Sequence, residues 1–229
     1  MRRFVLLLFV LMLCSSAIAQ QTYVPRFDAF TGFSYLHSPK LNLAGRGFNG
    51  EFGVNLNRWL ALGADFSIFD SHSSLFPKDL TPQLQQELGA MLATLPPGTI
   101  PPGYVLQVPF DATTYTFSAG PQINYRHFEK ITFFVRPALG LMHEAVTLKP
   151  SDPIQTGVVA GLAAGSKLSD SVLFYGAGGG FDINATKHVG FRVGVDIVHV
   201  NIFDGFLADG RNSVRMSIGP TWQWGKNVK

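Results

Sequence analysis

Apolar residues recur at every second position through much of this chain. A period of two admits little besides extended strands with one apolar face. In 48–56, Phe48, Gly50, Phe52, Val54 and Leu56 alternate with Asn49, Glu51, Gly53 and Asn55. In 60–68 the series is Leu60, Leu62, Ala64, Phe66 and Ile68, and in 189–197 it is Val189, Phe191, Val193, Val195 and Ile197. Five further segments, 27–37, 113–125, 131–144, 171–184 and 212–224, read the same way. Eight strands are an even number, which closes with antiparallel neighbours.

The connections alternate in length. Leu56 to Trp59, Arg126 to Lys130 and Ala185 to His188 are tight, whereas 38–47, 70–112, 145–170 and 201–211 are long. Short turns on one side and long loops on the other are the pattern of a transmembrane barrel, with the short turns and both termini on the periplasmic side. Within 70–112, Thr81 is placed to cap a short helix that has Pro82 at its first position. Leu84, Leu88, Met91, Leu92 and Leu95 then share one face, expected to pack on the barrel rim.

A soluble barrel hides its apolar face, and a membrane barrel shows it. The charges separate the two cases. All eight lysines fall in the expected loops, turns or tail. The strand charges are Asp28, Glu51, Asp65, Arg136, Glu144, Asp182, Arg192, Asp196 and Arg215, and every one has the parity opposite the apolar face. A Lys or Arg facing lipid at mid-bilayer costs roughly 2–4 kcal/mol, so a face free of charge is what lipid requires. The expected fold is therefore all-β: an eight-stranded antiparallel transmembrane β-barrel with long external loops.

Inside such a barrel there is room for side chains and not for a wide aqueous pore. Arg136, Arg192 and Arg215 are expected to be clamped by Glu51, Asp65, Asp182 and Asp196, since guanidinium forks suit paired carboxylates. Phe30, Phe69, Phe134, Phe174, Val198 and Val200 break the rule by standing on the inward parity, near strand ends or as lumen filling. Trp59, Tyr125, Phe128, Trp222 and Trp224 cluster toward the periplasmic ends, and Tyr35, Tyr115 and Tyr175 toward the outer ends, where amphipathic rings prefer the headgroup level.

Residues 1–19 have the form of a secretory signal peptide. Arg2 and Arg3 precede the apolar run Phe4 to Cys14, and Ala17-Ile18-Ala19 is a small-x-small cleavage site, which leaves 20–229 as the barrel domain. Removing this leader takes the formal charge from +3 to +1 and removes the one cysteine, so the remaining chain has no disulfide or thiolate chemistry. Scarce charge, 14% of residues, argues against a nucleic-acid partner.

These features resemble the small eight-stranded outer-membrane β-barrel proteins of Gram-negative-type bacteria, the group of the outer-membrane protein A barrel domain and the opacity-type adhesins. The resemblance covers about residues 27–224. Its best motif is Ser217-Ile218-Gly219-Pro220-Thr221-Trp222-Gln223-Trp224, similar to the polar-x-Gly-x-x-aromatic-x-aromatic assembly signal of that group, carried here by Ser217, Gly219, Trp222 and Trp224. Chains of the group often end on the aromatic, and this one continues from Gly225 to Lys229. The stretch Gly176 to Asp182, followed by Phe191 to Asp196, is similar to the sixth and seventh strands of the group. The resemblance implies outer-membrane lipid and the outer-membrane assembly machinery as partners.

The sequence shows no chemistry of its own. His199 and Asn201 have the spacing of a surface hydrolase pair, but Asn is no nucleophile. The other histidines lack metal-ligand spacing, and the glycines at 176–180 precede no Lys-Ser/Thr, so they form no phosphate loop. The expectation is a monomer without catalysis, cofactor or metal. Its role would be structural or surface interaction (adhesion or ligand binding) through external loops with an unidentified external ligand. A small pore or passive transporter is the alternative, and a lipid A-modifying membrane enzyme a more distant one.

Overall fold

A computed structural model describes residues 21–163, 165–208 and 210–228. The leader and its cleavage site lie outside the described residues. Eight strands form in the expected places: β1 (Phe27–Ser38), β2 (Leu43–Asn55), β3 (Leu60–Leu75), β4 (Val108–Tyr125), β5 (Ile131–Leu148), β6 (Lys167–Asn184), β7 (Val189–Val200) and β8 (Arg211–Trp224). Each pairs antiparallel with the next, and β1 closes the ring on β8. The short turns and the described chain ends share one end of the barrel, and the long connections share the other.

The alternation decides which face is buried. Phe33, Leu139 and Ile197 are more than half exposed on the outward face, at 52%, 54% and 60%. So broad an exposed apolar band is a surface for lipid, since soluble monomers rarely show apolar patches beyond a few hundred Å². Among the described residues no helix is long and apolar enough to cross a membrane. The chain is an eight-stranded transmembrane β-barrel.

The strands reach further outward than the apolar alternation does. The loop expected at 38–47 shrinks to 39–42, 70–112 to 76–107, 145–170 to 149–166, and 201–211 to 201–210. Above the lipid, outward side chains meet water and need not be apolar, so pairing continues after the pattern has faded. Two expectations are corrected as a result. Lys167 opens β6, so one lysine does stand in a strand, and Arg46, Asp70, Asp111 and Lys167 occupy outward positions near the outer ends. Exclusion of charge from the outward face holds across the lipid band and lapses above it.

The connection between β3 and β4 carries helix α1 (Pro82–Ala93), capped by the Thr81 hydroxyl, which accepts from the Leu84 N–H. The connection between β5 and β6 carries a helix that the apolar pattern did not announce, α2 (Pro153–Leu162). Asp152 caps it by accepting from the Gln155 N–H at 2.8 Å, with Pro153 at its first position. The two helices pack together over the outer mouth. A Cβ on Gly161 of α2 would lie 2.2 Å from the Met91 methyl of α1, a contact that the flexible methionine side chain could relieve by moving aside.

Candidate functional site

Three layers fill the space inside the barrel. The lowest is a polar seal at the mouth that carries the short turns. Residues 21–26 fold under the barrel, where the Tyr23 hydroxyl donates to the Gly225 carbonyl at 2.5 Å and the Val24 N–H to Asn227 Oδ1 at 2.8 Å. Arg126 donates to the Arg58 carbonyl at 2.6 Å and to Asn55 Oδ1 at 2.7 Å, and Arg58 itself donates to the Gln21 carbonyl. The tail after Trp224 is thus part of this seal.

The middle layer gathers the interior charges. Arg192 donates to Asp182 Oδ1 at 2.7 Å and Oδ2 at 2.9 Å, to Glu51 Oε2 at 2.6 Å and to Asp28 Oδ1 at 3.4 Å. Arg136 reaches Glu51 Oε1 at 3.0 Å and Asp196 Oδ2 at 3.2 Å. Arg215 bridges Asp65 Oδ1 at 2.7 Å and Asp196 Oδ2 at 2.7 Å, with Ser67 and Thr116 as further acceptors. The Ser118 hydroxyl also donates to Asp65. All seven residues singled out from the sequence as an interior network meet in this one cluster, joined by Asp28.

Register explains the meeting. Asp182 stands directly opposite Arg192 and Asp196 opposite Arg215, so neighbouring strands supply those two clamps, while Glu51 and Asp65, side by side on β2 and β3, reach Arg192, Arg136 and Arg215 across the lumen. Phe134 lies against the Arg192 guanidinium with its ring centroid 4.9 Å away, and Phe30 at 5.9 Å. These two inward phenylalanines therefore pack on the charges. The cavity beside Asp28, Glu51, Arg136 and Arg192 holds about 10 Å³, room for about one water molecule.

The outer layer is apolar. Ala138, Met142, Phe174, Val198, Val200 and Ile202 form one cluster above the charges. Leu43, Val108, Phe110, Val146, Leu148 and Val159 belong to another, under the two helices. A further ion pair outside the charge cluster joins Arg211 and Glu144 at 2.6 Å. Arg211 lies in β8 and not in the loop expected at 201–211, one step further along the inward parity of Ser213, Arg215 and Ser217. Leu88 is buried and Leu84, Met91 and Leu92 partly so in a third cluster, which places the α1 stripe on the rim and on α2.

Above this core, Met91, Leu92, Leu95, Thr99, Pro153, Ile154, Gly157 and Val158 line an open groove of about 260 Å³ between the helices. Asp152 and Tyr104 stand beside it. The Gln155 N–H donating to Asp152 holds that carboxyl below its ordinary range. The Tyr104 hydroxyl donates to Asp152 at 2.8 Å.

The other predicted positions are simpler. Ser217 and Gly219 face inward on β8, while Trp222 and Trp224 face outward at its C-terminal end. Phe27, Phe52 and Trp224 pack together there, with centroids 6.1–6.2 Å apart. Asn201 falls just beyond β7, and His199 Nδ1 bonds Asn212 Oδ1 at 2.8 Å. No cluster of three metal-ligating side chains occurs among the described residues.

A closed ring of eight antiparallel strands, apolar outside and polar within, has the architecture of the small outer-membrane barrel proteins. The chain resembles OprG, an outer-membrane protein of Pseudomonas aeruginosa, with a TM-score of 0.52 and 11% identity over 90% of this chain and 99% of that one. It also matches Ail, the attachment invasion locus protein of Yersinia pestis, solved in complex with the heparin analogue sucrose octasulfate, at TM-score 0.46 and 14% identity over 86% and 96% of the two chains. Neisserial surface protein A matches at TM-score 0.46 and 12% identity over the same shares. No protein family's sequence profile and no curated protein sequence matches the chain.

Proposed function

We propose that this protein is an outer-membrane barrel, closed to solute flow, that acts without catalysis through the two-helix cap on its external side. The observation that carries this reading is the layered filling of the lumen. A passive pore needs a continuous wet path, and here the path meets buried arginine–carboxylate clusters and then an apolar layer. The external surface is the remaining place for recognition. There α1 and α2 hold the apolar groove on a rigid base, as a binding surface requires. Lipid around the barrel, and the outer-membrane assembly machinery engaging Ser217, Gly219, Trp222 and Trp224, complete the set of partners in this reading.

The test is a chain in which residues 77–106 are replaced by a two-residue turn. The Leu75–Val108 pair that closes the β3–β4 ladder is kept. The shortened chain should still insert and show different gel migration when unheated and when boiled. In cells it should reproduce the surface and envelope phenotype of the whole-gene deletion. Wild-type behaviour from a correctly inserted shortened chain refutes the cap as the working surface. Planar-bilayer recordings should show no stable open state, and a reproducible large conductance would revive the pore.

A further inference from the structure

The outer rim carries its charge unevenly. Asp70 and Asp111 face outward on β3 and β4, and Asp70 stands directly opposite Arg46 of β2 without an ion pair between the two. Asp111 bonds His72 Nδ1 at 2.5 Å and pairs with Lys149, while Asp70 accepts from the Thr113 hydroxyl at 2.9 Å. On the outward faces of β7, β8, β1 and β2 there is no carboxylate. The outermost polar side chains there are His199, Asn212, His37, Tyr35 and Arg46.

The register sets three of these side by side. His37 stands opposite Val214, with Asn212 two residues further along β8, and Tyr35 stands opposite Arg46. Arg46 and Asn212 are thus the diagonal neighbours of His37 on its two flanks, about 7–8 Å away. The tilt of barrel strands brings such diagonals to about one height. Each presents a donor. Arg46 is exposed and makes no ion pair among the described residues. Asn212 accepts the Nδ1–H of His199 on its Oδ1, which leaves its amide group to donate. His37 Nδ1 is buried without a partner, which leaves Nε2 as the ring nitrogen available to a ligand. Tyr35 holds the His37 ring in a stack, with centroids 6.4 Å apart. Below the row, Phe33, Phe48, Met216 and Ile218 offer an exposed apolar track.

We propose that this sector of the rim binds the phosphate headgroup of an outer-leaflet lipid. Arg46 supplies the charge, His37 Nε2–H and Asn212 Nδ2–H donate to the remaining oxygens, and the acyl chains lie along the track beneath. The assignment rests on the membrane placement of the barrel.

The test reconstitutes the full chain in phosphatidylcholine nanodiscs containing lipid A, with its phosphates or enzymatically dephosphorylated. The lipid that co-purifies is quantified by mass spectrometry. Phosphorylated lipid A should be retained about tenfold or more over the dephosphorylated form. The Arg46→Gln, His37→Gln double variant should lose that preference, and Lys167→Gln on β6 should keep it. Asn212→Asp, which sets a carboxylate beside His37, should weaken retention in the same direction and serves if the double variant fails to fold. Equal retention of the two lipids, or equal loss in Lys167→Gln, overturns the proposal. Displacement by excess inorganic phosphate also overturns it, because the site would then take the free ion. Heat-dependent gel migration is scored for every sample. A chain that never inserts therefore reports failure of the membrane reading and not of the headgroup site.

Discussion

Replacing Arg192 by methionine probes the dry interior most directly. Arg192 is 2% exposed and holds Asp182, Glu51 and Asp28. After its removal Glu51 keeps Arg136, so Asp182 and Asp28 are the carboxylates left stranded. Breaking a buried ion pair by deleting one partner costs about 3–5 kcal/mol. Against a total stability of about 5–15 kcal/mol this is a large share, and 4 kcal/mol is roughly a thousandfold in the folding equilibrium. Urea titration in lipid vesicles, followed by the unheated gel band and by fluorescence of Trp59, Trp222 and Trp224, should show a lower midpoint at unchanged slope. Adding Asp182→Asn to Arg192→Met should recover a substantial part of the loss, because the stranded charge is then removed. An unchanged midpoint for the single variant, or a double variant no better than the single, refutes the reasoning. Water would then reach the guanidinium position, and the case for a closed lumen would fall with it.

Other substitutions report on other layers. Val195→Lys places a charge on the lipid face of β7 and should cost about 2–4 kcal/mol, with a smaller heat-modifiable fraction after membrane assembly, whereas Lys40→Ala at the outer rim should assemble normally. Equal tolerance of the two would reverse the assignment of faces. Gly176→Val should prevent closure, since even a Cβ there would sit 2.0 Å from the Ile197 carbonyl oxygen, and a normally folded barrel would contradict the packing of β6 on β7. Asp152→Ala should speed amide exchange along α2 at neutral pH. The Asp152 carboxyl titrates below its ordinary range, so its capping contribution is complete above the normal carboxylate pKa and fades as pH falls through the depressed value. Exchange in the wild type should therefore approach that of the variant in acid, and a difference between the two that is independent of pH would exclude the cap.

The barrel was legible in the sequence because lipid enforces a strict rule. Val189 to Ile197 can alternate in only one way if one face meets hydrocarbon. Legibility stopped where that rule stopped. Arg46, Asp70 and His72 lie on outward positions above the lipid, where no solvent preference marks the pairing, so the outer ends of β2 and β3 read as loop. Helix α2 left a trace in Asp152-Pro153, a cap followed by a first-turn proline, but Gly157 to Gly165 blurred its face. The inward parity of Arg192 and Glu51 could be counted from the sequence. That these two touch depends on the stagger of strands far apart in the chain, which no local pattern records. Arg211 and Glu144 were separated for the same reason.

The pairing of β1 with β8 imposes an order in time. The Ser34 hydroxyl donates to the Met216 carbonyl at a sequence separation of 182. The first strand, β1, must therefore keep one edge of its backbone unsatisfied until the last, β8, arrives. Until then the nascent chain displays the row of free amide and carbonyl groups that templates edge-to-edge association. Contacts this distant also make closure slow. The ring that leaves the finished molecule without an open edge leaves its unfinished form open to association until β8 closes on β1.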